Sequence, residues 1–358
     1  MKSQTNRKRG LVYVAMSGGV DSSVAAALLK KRGFDVVGVF FKPWQPEKGL
    51  SFCGWKEDRK DAMSVASILD VPFKTWDFSK EYKKKVGNYM IETYRQGLTP
   101  NPDVMCNKEI KFGLFLKKAL TEGADYVATG HYVRKSDAQK PKLLKGKDAN
   151  KDQSYFLWTL TREQLERCLF PIGDYKKPEV RKLAKKFKLP THNKKDSQGV
   201  CFIGQLDMKN FLKSYIKPKT GEIRLMSTSD VDGKVVGKHE GAAYYTTGQR
   251  HGLNITDGHG PYFVVSKNLK KNIVYVGREK DLETKKTKVT GINWINKKTK
   301  FPLNISVKIR YRTKEQKAVL LKNGILEFKR PVRAVTPGQS AVFYKGEDVL
   351  GGGVILKD

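Results

Sequence analysis

Short apolar runs of β-strand character alternate with helix-patterned segments through the first 130 residues of this chain. The apolar runs read LVYVAM (11–16), DVVGVFF (35–41), FKTWDF (73–78) and DYVATG (125–130). Helical patterns begin near Ser22, Trp55, Lys80 and Asn107, and two more cover 161–169 and 177–188. Strands that are separated by crossover helices pair in parallel. The alternation therefore predicts an α/β domain with a parallel sheet.

The connection between the first apolar run and the first helix is rich in glycine and hydroxyl groups. It reads Ser17-Gly18-Gly19-Val20-Asp21-Ser22-Ser23. Glycines let a backbone approach phosphates closely, hydroxyls donate hydrogen bonds, and a helix N-terminus attracts negative charge. An ordinary capped turn could carry the same residue types, but the strand-to-helix setting favours an anion site. The segment lacks the lysine of a Walker A loop, which excludes that class of nucleotide site.

The chain is strongly basic, with 70 lysines and arginines against 36 acidic residues and a formal net charge of +34. This excess predicts a polyanionic partner, most naturally a nucleic acid. The alternative is a lysine-rich solvated surface, of which runs such as 83–85 are typical. No run approaches the roughly 20 apolar residues of a membrane span, and little chain precedes the first strand for a targeting sequence. We therefore expect a cytoplasmic protein that does not contact a membrane.

The character of the chain changes near residue 210 and again near residue 280. Beyond 210, short β-type runs are separated by turn residues, and beyond 280 a second series suggests a small antiparallel barrel. A length of 358 residues also exceeds what one hydrophobic core usually organises. We predict an α/β domain over 1–209, a small β-rich central domain over 210–279 and a C-terminal antiparallel β-barrel over 280–358.

The four cysteines, at positions 53, 106, 168 and 201, are widely separated and form no CxxC pair, so we predict no metal site. Cys106 follows a proline-rich loop and precedes the helical pattern NKEIKFGLF, where a helix N-terminus would lower the pKa of its thiol. Cys201 lies in a glycine-flanked loop that could bring a bound sulfur to a reacting carbon. Either could instead be a small buried hydrophobe. We assign that role to Cys168, on the apolar face of a predicted helix, and to Cys53.

Several longer motifs resemble one family over nearly the whole chain. They are GLTPNPDVMCNKEIK (97–111), ATGHYVRK (128–135), KDQSYFL (151–157), SQGVCFIG (197–204), YYTTGQRHGL (244–253), KIRYR (308–312) and AVTPGQSAVFY (334–344). The glycine loop resembles the pyrophosphate loop (PP-loop) of the N-type ATP pyrophosphatases, whose fold is that of the adenine nucleotide alpha hydrolases. Together these motifs are similar to those of the tRNA-specific 2-thiouridylases.

The resemblance implies a reaction. ATP, together with Mg²⁺, would adenylate the 2-oxygen of the wobble uridine in tRNAs for Lys, Glu and Gln. A cysteine persulfide would then deliver sulfur, giving 2-thiouridine, AMP and pyrophosphate. The sulfur would come from a cysteine desulfurase or a sulfur-relay protein. By motif match, Cys201 carries the persulfide, and Cys106 is the nucleophile that frees hydrogen sulfide or resolves a disulfide.

The resemblance also implies the binding residues. The ATP contacts would be Ala15, Met16, Ser17, Gly18, Gly19, Val20, Asp21, Ser22, Phe41 and Gly130. The target base would meet Asn101, Pro102 and Asp103. The remaining tRNA contacts would be His131, Lys151, Asp152, Gln153, Arg310, Tyr311 and Gln339.

The residues by themselves leave several roles open. Asp103 could be a general acid or base, or could cap the helix that is predicted to start after Cys106. His131 could be a hydrogen-bonded turn histidine, and Tyr311 a strand aromatic packed into the barrel. Arg310 and Arg312 would then share one face of a strand, with Tyr311 on the other.

Two other classes of protein are alternatives. A different adenylating enzyme with the same loop would need no cysteine pair, and it leaves the charge excess unexplained. A noncatalytic RNA-binding protein would not need the intact loop and both cysteines. The chain also departs from the usual family pattern at Phe41, where methionine is common, at 255–263, where the turn is less rich in glycine, and at Val349, where cysteine is frequent. These departures bear on the adenine pocket and the central domain, and they remove no catalytic group.

Overall fold

The computed structural model describes residues 9–46, 54–196, 199, 207–226, 233–296 and 300–357. Seven strands lie in its N-terminal part: β1 (Leu11–Ala15), β2 (Asp35–Lys42), β3 (Phe73–Asp77), β4 (Tyr126–Ala128), β5 (Val133–Lys135), β6 (Leu143–Lys145) and β7 (Cys168–Leu169). Five of them form a parallel sheet in the order β3-β2-β1-β4-β7. The parallel α/β domain predicted from the sequence is therefore confirmed.

Nine helices accompany these strands in the described part of the chain. They are α1 (Val20–Lys31), α2 (Trp55–Ile68), α3 (Ser79–Tyr82), α4 (Asn88–Arg95), α5 (Pro102–Met105), α6 (Leu116–Thr121), α7 (Arg162–Glu166), α8 (Lys177–Lys186) and α9 (Met208–Tyr215). π-helical turns at Lys83–Gly87 and Cys106–Phe115 join α3 to α4 and α5 to α6, so each pair is one continuous helix. Short 3₁₀ turns lie at Ser154–Phe156, Pro190–Asn193, Ala242–Tyr244 and Glu279–Leu282. None of the helices is long and apolar enough to cross a membrane in the part of the chain that is described.

The sheet separates two hydrophobic cores because successive side chains on a strand point to opposite faces. In β1, Val12 and Val14 belong to one core, together with the buried alanines of α1, whereas Tyr13 belongs to the other. The second core is rich in aromatic rings, and Trp76 and Phe115 lie 5.7 Å apart within it. Helices thus cover both faces, which leaves the strand ends and their loops as the accessible part of the sheet.

The fifth strand of the sheet replaces part of a predicted helix. The pattern over 161–169 predicts one helix, but α7 ends at Glu166 and the chain turns into β7. Cys168 there pairs with Val127 of β4. The helical prediction for Cys168 is therefore wrong, although its predicted burial is confirmed, because the side chain is fully buried. Burial raises the pKa of the Cys168 thiol to about 12.

The central domain is a four-stranded sheet of β8 (Gly221–Leu225), β9 (Val235–His239), β10 (Phe263–Asn268) and β11 (Ile273–Gly277). Its order is β10-β11-β8-β9, and Ile223, Val264 and Val274 are fully buried in its core. The predicted boundary between 209 and 210 falls inside α9. Phe211 of that helix packs against Trp44 of the N-terminal domain at a ring distance of 6.3 Å. The three domain limits stay predictions.

The C-terminal domain is a closed barrel of β12 (Glu283–Trp294), β13 (Leu303–Lys308), β14 (Gln316–Leu320), β15 (Ile325–Arg333), β16 (Ser340–Lys345) and β17 (Asp348–Ile355). The strands are antiparallel, and pairing of β12 with β17 closes the circle. The predicted antiparallel barrel is confirmed. The hairpin of β5 and β6 extends from the N-terminal domain and joins this sheet, with Leu144 opposite Asp348.

Candidate active site

The predicted nucleotide loop, residues 17–23, comprises the turn after β1 and the first residues of α1, at the carboxyl-terminal edge of the parallel sheet. It follows β1, which has β2 on one side and β4 on the other. The chain runs outward through β2 and β3 and later returns to β4 and β7 on the opposite side of β1. In open parallel sheets, ligands bind in the crevice that forms where the strand order reverses in this way. The loop therefore occupies the position in this fold that best suits a ligand.

Two glycines keep the loop tightly packed. Gly18 has a φ of +74°, and a Cβ at this position would come within 2.1 Å of the Asp58 carbonyl oxygen. Gly130 follows β4, and a Cβ there would come within 2.7 Å of the Ser22 amide nitrogen. Larger residues would push these segments apart. The loops after β1 and β4 therefore meet at the start of α1.

The hydrogen-bonding groups of the loop fit a phosphate. Gly19 is the N-cap of α1, and because glycine has no side chain, the first-turn amides receive no side-chain acceptor from it. The Ser22 hydroxyl donates to the Gly19 carbonyl at 3.1 Å and accepts from the Ser17 amide at 3.2 Å, which fixes the turn. Ser17 itself is exposed. The exposed hydroxyl of Ser17 and the backbone amides of the first turn of α1 together form a set of hydrogen-bond donors suited to an anion.

Asp21, in the first turn of α1, is held by a lysine that sequence reasoning missed. Nζ of Lys177 donates to both Asp21 carboxylate oxygens at 2.8 Å, and the Tyr132 hydroxyl donates to Oδ1 at 2.7 Å. The same Nζ lies 3.0 Å from Asp196 Oδ1, so it bridges two carboxylates. Burial acts to raise the pKa of Asp196, but hydrogen bonds from Lys151 and Lys177 outweigh it and hold that pKa well below its ordinary range.

Two predicted ATP contacts lie in the interior. Met16 and Phe41 are both nearly inaccessible to solvent. The Phe41 ring packs edge to face against Phe78 at 5.4 Å and Phe115 at 4.8 Å. Phe41 lies near the end of β2, so it supports the crevice from below. A direct contact of Phe41 with adenine stays a prediction.

The helix that carries Cys106 begins earlier than the sequence suggested. It starts at Pro102, and Asn101 is its N-cap, with Oδ1 accepting from the Val104 amide at 3.2 Å. The expectations that the helix starts after Cys106 and that Asp103 caps it are therefore wrong. Cys106 lies about one turn inside the helix and is fully buried, whereas Asp103 is half-buried in the first turn. An asparagine followed by proline is a typical N-cap and first helical position, and this local signal was present in the sequence.

The nucleotide loop and the Cys106 helix are joined through the segment after β4. His131 follows Gly130 directly, and its ring lies 5.9 Å from that of Phe112 on the Cys106 helix. Nδ1 of His131 shares a hydrogen bond with the Thr129 hydroxyl at 2.7 Å. Burial, with the nearby charge of Lys111, lowers the pKa of His131 well below its ordinary value. His131 is therefore a buried, neutral link between the two predicted halves of the site.

The segment before the Cys106 helix is fixed by the C-terminal barrel. Nε2 of Gln339 donates to the carbonyls of Thr99 and Pro100 at 3.1 and 2.9 Å. The Thr99 amide donates to the Pro337 carbonyl at 2.9 Å, and the Thr99 hydroxyl lies 3.2 Å from that of Thr246 in the central domain. All three domains thus meet at residues 99 and 100, immediately before the predicted contacts with the target base.

The predicted tRNA residues 151–153 take part in contacts within the protein. Lys151 pairs with Asp196 at 2.6 Å. Asp152 is buried, and Nζ of Lys308 lies 3.2 Å from its Oδ2. Gln153 Oε1 accepts from the Tyr132 amide at 3.0 Å. This segment therefore connects the nucleotide site to the barrel.

Arg310 and Tyr311 lie in a turn, since β13 ends at Lys308. The prediction that Arg310 and Arg312 share one strand face is therefore wrong, and Arg312 has a φ of +62°. Arg310 donates to the Thr247 carbonyl at 2.7 Å and to the Thr336 hydroxyl at 2.6 Å. Tyr311 packs on Phe156 at a ring distance of 4.4 Å.

Cys201 and Cys53 lie outside the described residues. Within the part of the chain that is described, no group of three or more His, Cys, Asp or Glu side chains could hold a metal ion. Among the functional candidates that sequence reasoning missed, Lys177 and Asp196 have no local signal, because only the fold brings them to Asp21.

Three family models match consecutive parts of the chain. The tRNA methyl transferase HUP domain matches residues 10–205, the tRNA methyl transferase PRC-barrel domain matches 209–278, and the aminomethyltransferase beta-barrel domain matches 284–355. The first of these alone covers more than half of the chain. The order of the three agrees with the α/β domain, the central sheet and the barrel.

Curated relatives are similar over nearly their whole length. The tRNA-specific 2-thiouridylase MnmA of Bacillus licheniformis is 48% identical over 356 residues, which cover 96% of this chain and 94% of the relative. The protein of the same name from Bacillus subtilis is 46% identical, with the same coverage. Among solved structures, NMN synthetase from Francisella tularensis has a TM-score of 0.37 and 18% identity, covering 58% of this chain and 77% of that one, a likeness too weak to carry an argument. The relatives show that the chain belongs to the family of tRNA-specific 2-thiouridylases.

Proposed function

We propose that this protein is an ATP-dependent tRNA-uridine 2-sulfurtransferase that places sulfur on the wobble uridine of tRNAs for Lys, Glu and Gln. One observation carries the proposal most directly. In a chain 48% identical to a named tRNA-specific 2-thiouridylase, a loop suited to an anion and a cysteine-bearing helix are linked through one short segment, 129–131, in which Thr129 and His131 are buried. A loop suited to phosphates and a thiol are the two elements that the reaction needs.

ATP would supply the adenylyl group that turns the uridine 2-oxygen into a leaving group. A bond would form between that oxygen and the α-phosphorus, and the bond to pyrophosphate would break. Residues 15–22, with Phe41 and Gly130, would hold the nucleotide, and the amides of the first turn of α1 would bind its phosphates. Asp21 could help to hold Mg²⁺, which would require its carboxylate to exchange Lys177 for the metal ion.

Asn101, Pro102 and Asp103 would receive the target base, and two of them have positions that suit the role. Asn101 caps the helix and fixes its start, so a base bound there would lie close to the first turn. Asp103, half-buried in that turn, would be the general acid or base for the proton transfers. Its alternative role as the helix cap is taken by Asn101.

Sulfur transfer would use Cys106 and Cys201. Cys201 would receive sulfur as a persulfide from a cysteine desulfurase or a relay protein. In one route the terminal sulfur of the persulfide would attack C2 and expel AMP, and Cys106 would then attack the Cys201 sulfur, forming a Cys106–Cys201 disulfide and leaving the transferred sulfur on the uridine. In the other route Cys106 would attack the persulfide first, forming the same disulfide and releasing hydrogen sulfide, which would attack C2 and expel AMP. Full burial suits Cys106 for chemistry that excludes water, since a reactive sulfur is protected there.

The tRNA would meet a surface shared by the domains. Lys151, Gln153, Arg310 and Tyr311 are half-exposed and would contact RNA directly, whereas His131 and Asp152 are buried and would support that surface from behind. Gln339, also half-exposed, would act on this surface by holding Thr99 and Pro100 in place. The +34 net charge supports a broad phosphate-binding surface around them.

The test is mass spectrometry of tRNA nucleosides after incubation with ATP and a sulfur donor. We expect Cys106→Ala and Cys201→Ala to abolish 2-thiouridine while tRNA binding survives, and Cys168→Ala to remain active as the matched control. Normal thiolation by Cys201→Ala would overturn the persulfide role. A methylated nucleoside in place of the thiolated one would favour the methyl transfer named in the family models.

A further inference from the structure

Lys177 reaches from one helix to the anion-binding start of another. Its backbone is fixed in the first turn of α8, where its amide donates to Asp148 Oδ2 at 2.9 Å. Its side chain is only 11% exposed and ends between two carboxylates, 2.8 Å from Asp21 and 3.0 Å from Asp196. The ammonium group therefore lies beside the first turn of α1, next to the amides that suit a phosphate.

The position of the Lys177 ammonium group compensates for a negative charge in the loop. Asp21 brings a negative charge to the place where an anionic phosphate would arrive, and two anions repel each other unless a cation lies between them. The loop itself contains no lysine. Lys177 supplies the missing positive charge from a distant part of the sequence.

The surrounding charges leave Lys177 able to change partners. Arg181 donates to Asp196 at 2.7 Å and Lys151 does so at 2.6 Å, so Asp196 keeps two cationic partners if Lys177 moves. With Asp148, which accepts from the Lys177 amide, three carboxylates lie beside the three cations Lys177, Arg181 and Lys151 (3 − 3 = 0). The cations therefore offset the acidic side chains, so an arriving phosphate meets no net negative charge in this cluster.

We infer that Lys177 is a nucleotide-site residue whose ammonium group binds the pyrophosphate portion of ATP. Lys177 neutralises Asp21 before the nucleotide arrives and contacts the phosphates once it is bound. When the bond between the α-phosphorus and pyrophosphate breaks, the leaving oxygen gains negative charge, and the same ammonium group stabilises it. The inference rests on the proposed function only for the identity of the adenylated acceptor.

Binding to the full-length protein at constant Mg²⁺ tests the inference, with ATP, inorganic pyrophosphate and adenosine as separate probes in calorimetry. We expect Lys177→Met to weaken ATP and pyrophosphate by about tenfold to a hundredfold, the range for a hydrogen bond to a charged group. Adenosine affinity should stay within about twofold, because adenosine carries no phosphate, and Lys177→Arg should retain most of the ATP affinity. Lys182→Met is the matched control, since it removes an exposed lysine from the same helix. Unchanged ATP affinity, or an equal loss for ATP and adenosine, would overturn the inference.

A second comparison keeps the test valid if Lys177→Met leaves Asp21 as an unpaired charge and disturbs the fold. In the Asp21→Asn background position 21 needs no counterion, and Asp196 keeps Arg181 and Lys151 as partners. We expect Lys177→Met still to lower ATP affinity there by a similar factor. If it has no effect there, Lys177 serves only as the counterion of Asp21 and the inference fails. Lys177-dependent ATP binding by a protein that makes no 2-thiouridine would sink the proposed function and leave the inference standing.

Discussion

The two hydrogen bonds from Gln339 offer a direct test of how the barrel acts in the reaction. Family resemblance implies that Gln339 contacts tRNA, whereas its Nε2 donates to the carbonyls of Thr99 and Pro100. Those residues lie immediately before Asn101, which caps the Cys106 helix. Replacing Gln339 by alanine would remove these two hydrogen bonds to the segment that precedes the predicted base-binding residues.

The expected size of the effect follows from the two contacts. A neutral hydrogen bond contributes about 1 kcal/mol net, so two contribute about 2 kcal/mol. If this free energy holds the segment in its reactive geometry, Gln339→Ala should slow thiolation about 30-fold. Gln339→Glu should be slower still, because a carboxylate would face two carbonyl oxygens.

The assay separates rate from affinity. Single-turnover thiolation of pre-bound tRNA gives the rate in the complex, and filter binding gives the Kd for tRNA. We expect the rate to fall and the Kd to change less than about threefold, within 0.7 kcal/mol. Gln139→Ala, a truncation at an exposed loop glutamine, should change neither. A tRNA Kd raised tenfold or more with a normal rate in the complex would refute the positioning role and support direct RNA contact.

Two further outcomes are expected. Gly18→Ala should lower both ATP affinity and the melting temperature more than Gly33→Ala does, by about 4 °C or more. Both glycines have positive φ (+74° and +84°). A Cβ at Gly18 would lie 2.1 Å from the Asp58 carbonyl oxygen, whereas a Cβ at Gly33 would meet no described atom within 4 Å. Equal melting temperatures for the two variants would contradict the close approach at Gly18. Affinity for tRNA should fall about a thousandfold between 50 and 200 mM salt, as expected if several phosphates are neutralised, and a flat response would count against the basic surface.

The predictable part of the fold is the part with strong local periodicity. Runs such as LVYVAM and DVVGVFF are apolar and β-branched, and they became β1 and β2 within one residue of the predicted ends. Three elements were not predicted from the sequence, for physical reasons. β7 has only two residues, the β5–β6 hairpin is stabilised by a distant strand, and β12 is rich in lysine and threonine, as a strand with a solvated face can be.

The site was predictable where one motif sufficed and unpredictable where the fold joins distant residues. The glycine loop was recognised from seven consecutive residues, and the structure gives it the donors that a phosphate needs. The start of the Cys106 helix was misjudged because the cysteine drew attention away from the Asn101–Pro102 signal. Lys177 could not have been found, since 156 positions separate it from Asp21 and only packing of α8 against α1 brings them together.

The β5–β6 hairpin, which extends from the N-terminal domain to the barrel, has a consequence for folding during synthesis. Lys142, beside β6, pairs with Asp348, 206 positions later, and the Lys145 amide donates to the Glu347 carbonyl. During synthesis β6 therefore leaves the ribosome long before β17, the strand with which it pairs. Until β17 is made, the backbone N–H and C=O groups on that edge of β6 have no strand partner. Lysines on such an edge discourage pairing with other chains, so we expect Lys142 and Lys145 to limit aggregation of the chain until the last strand is made.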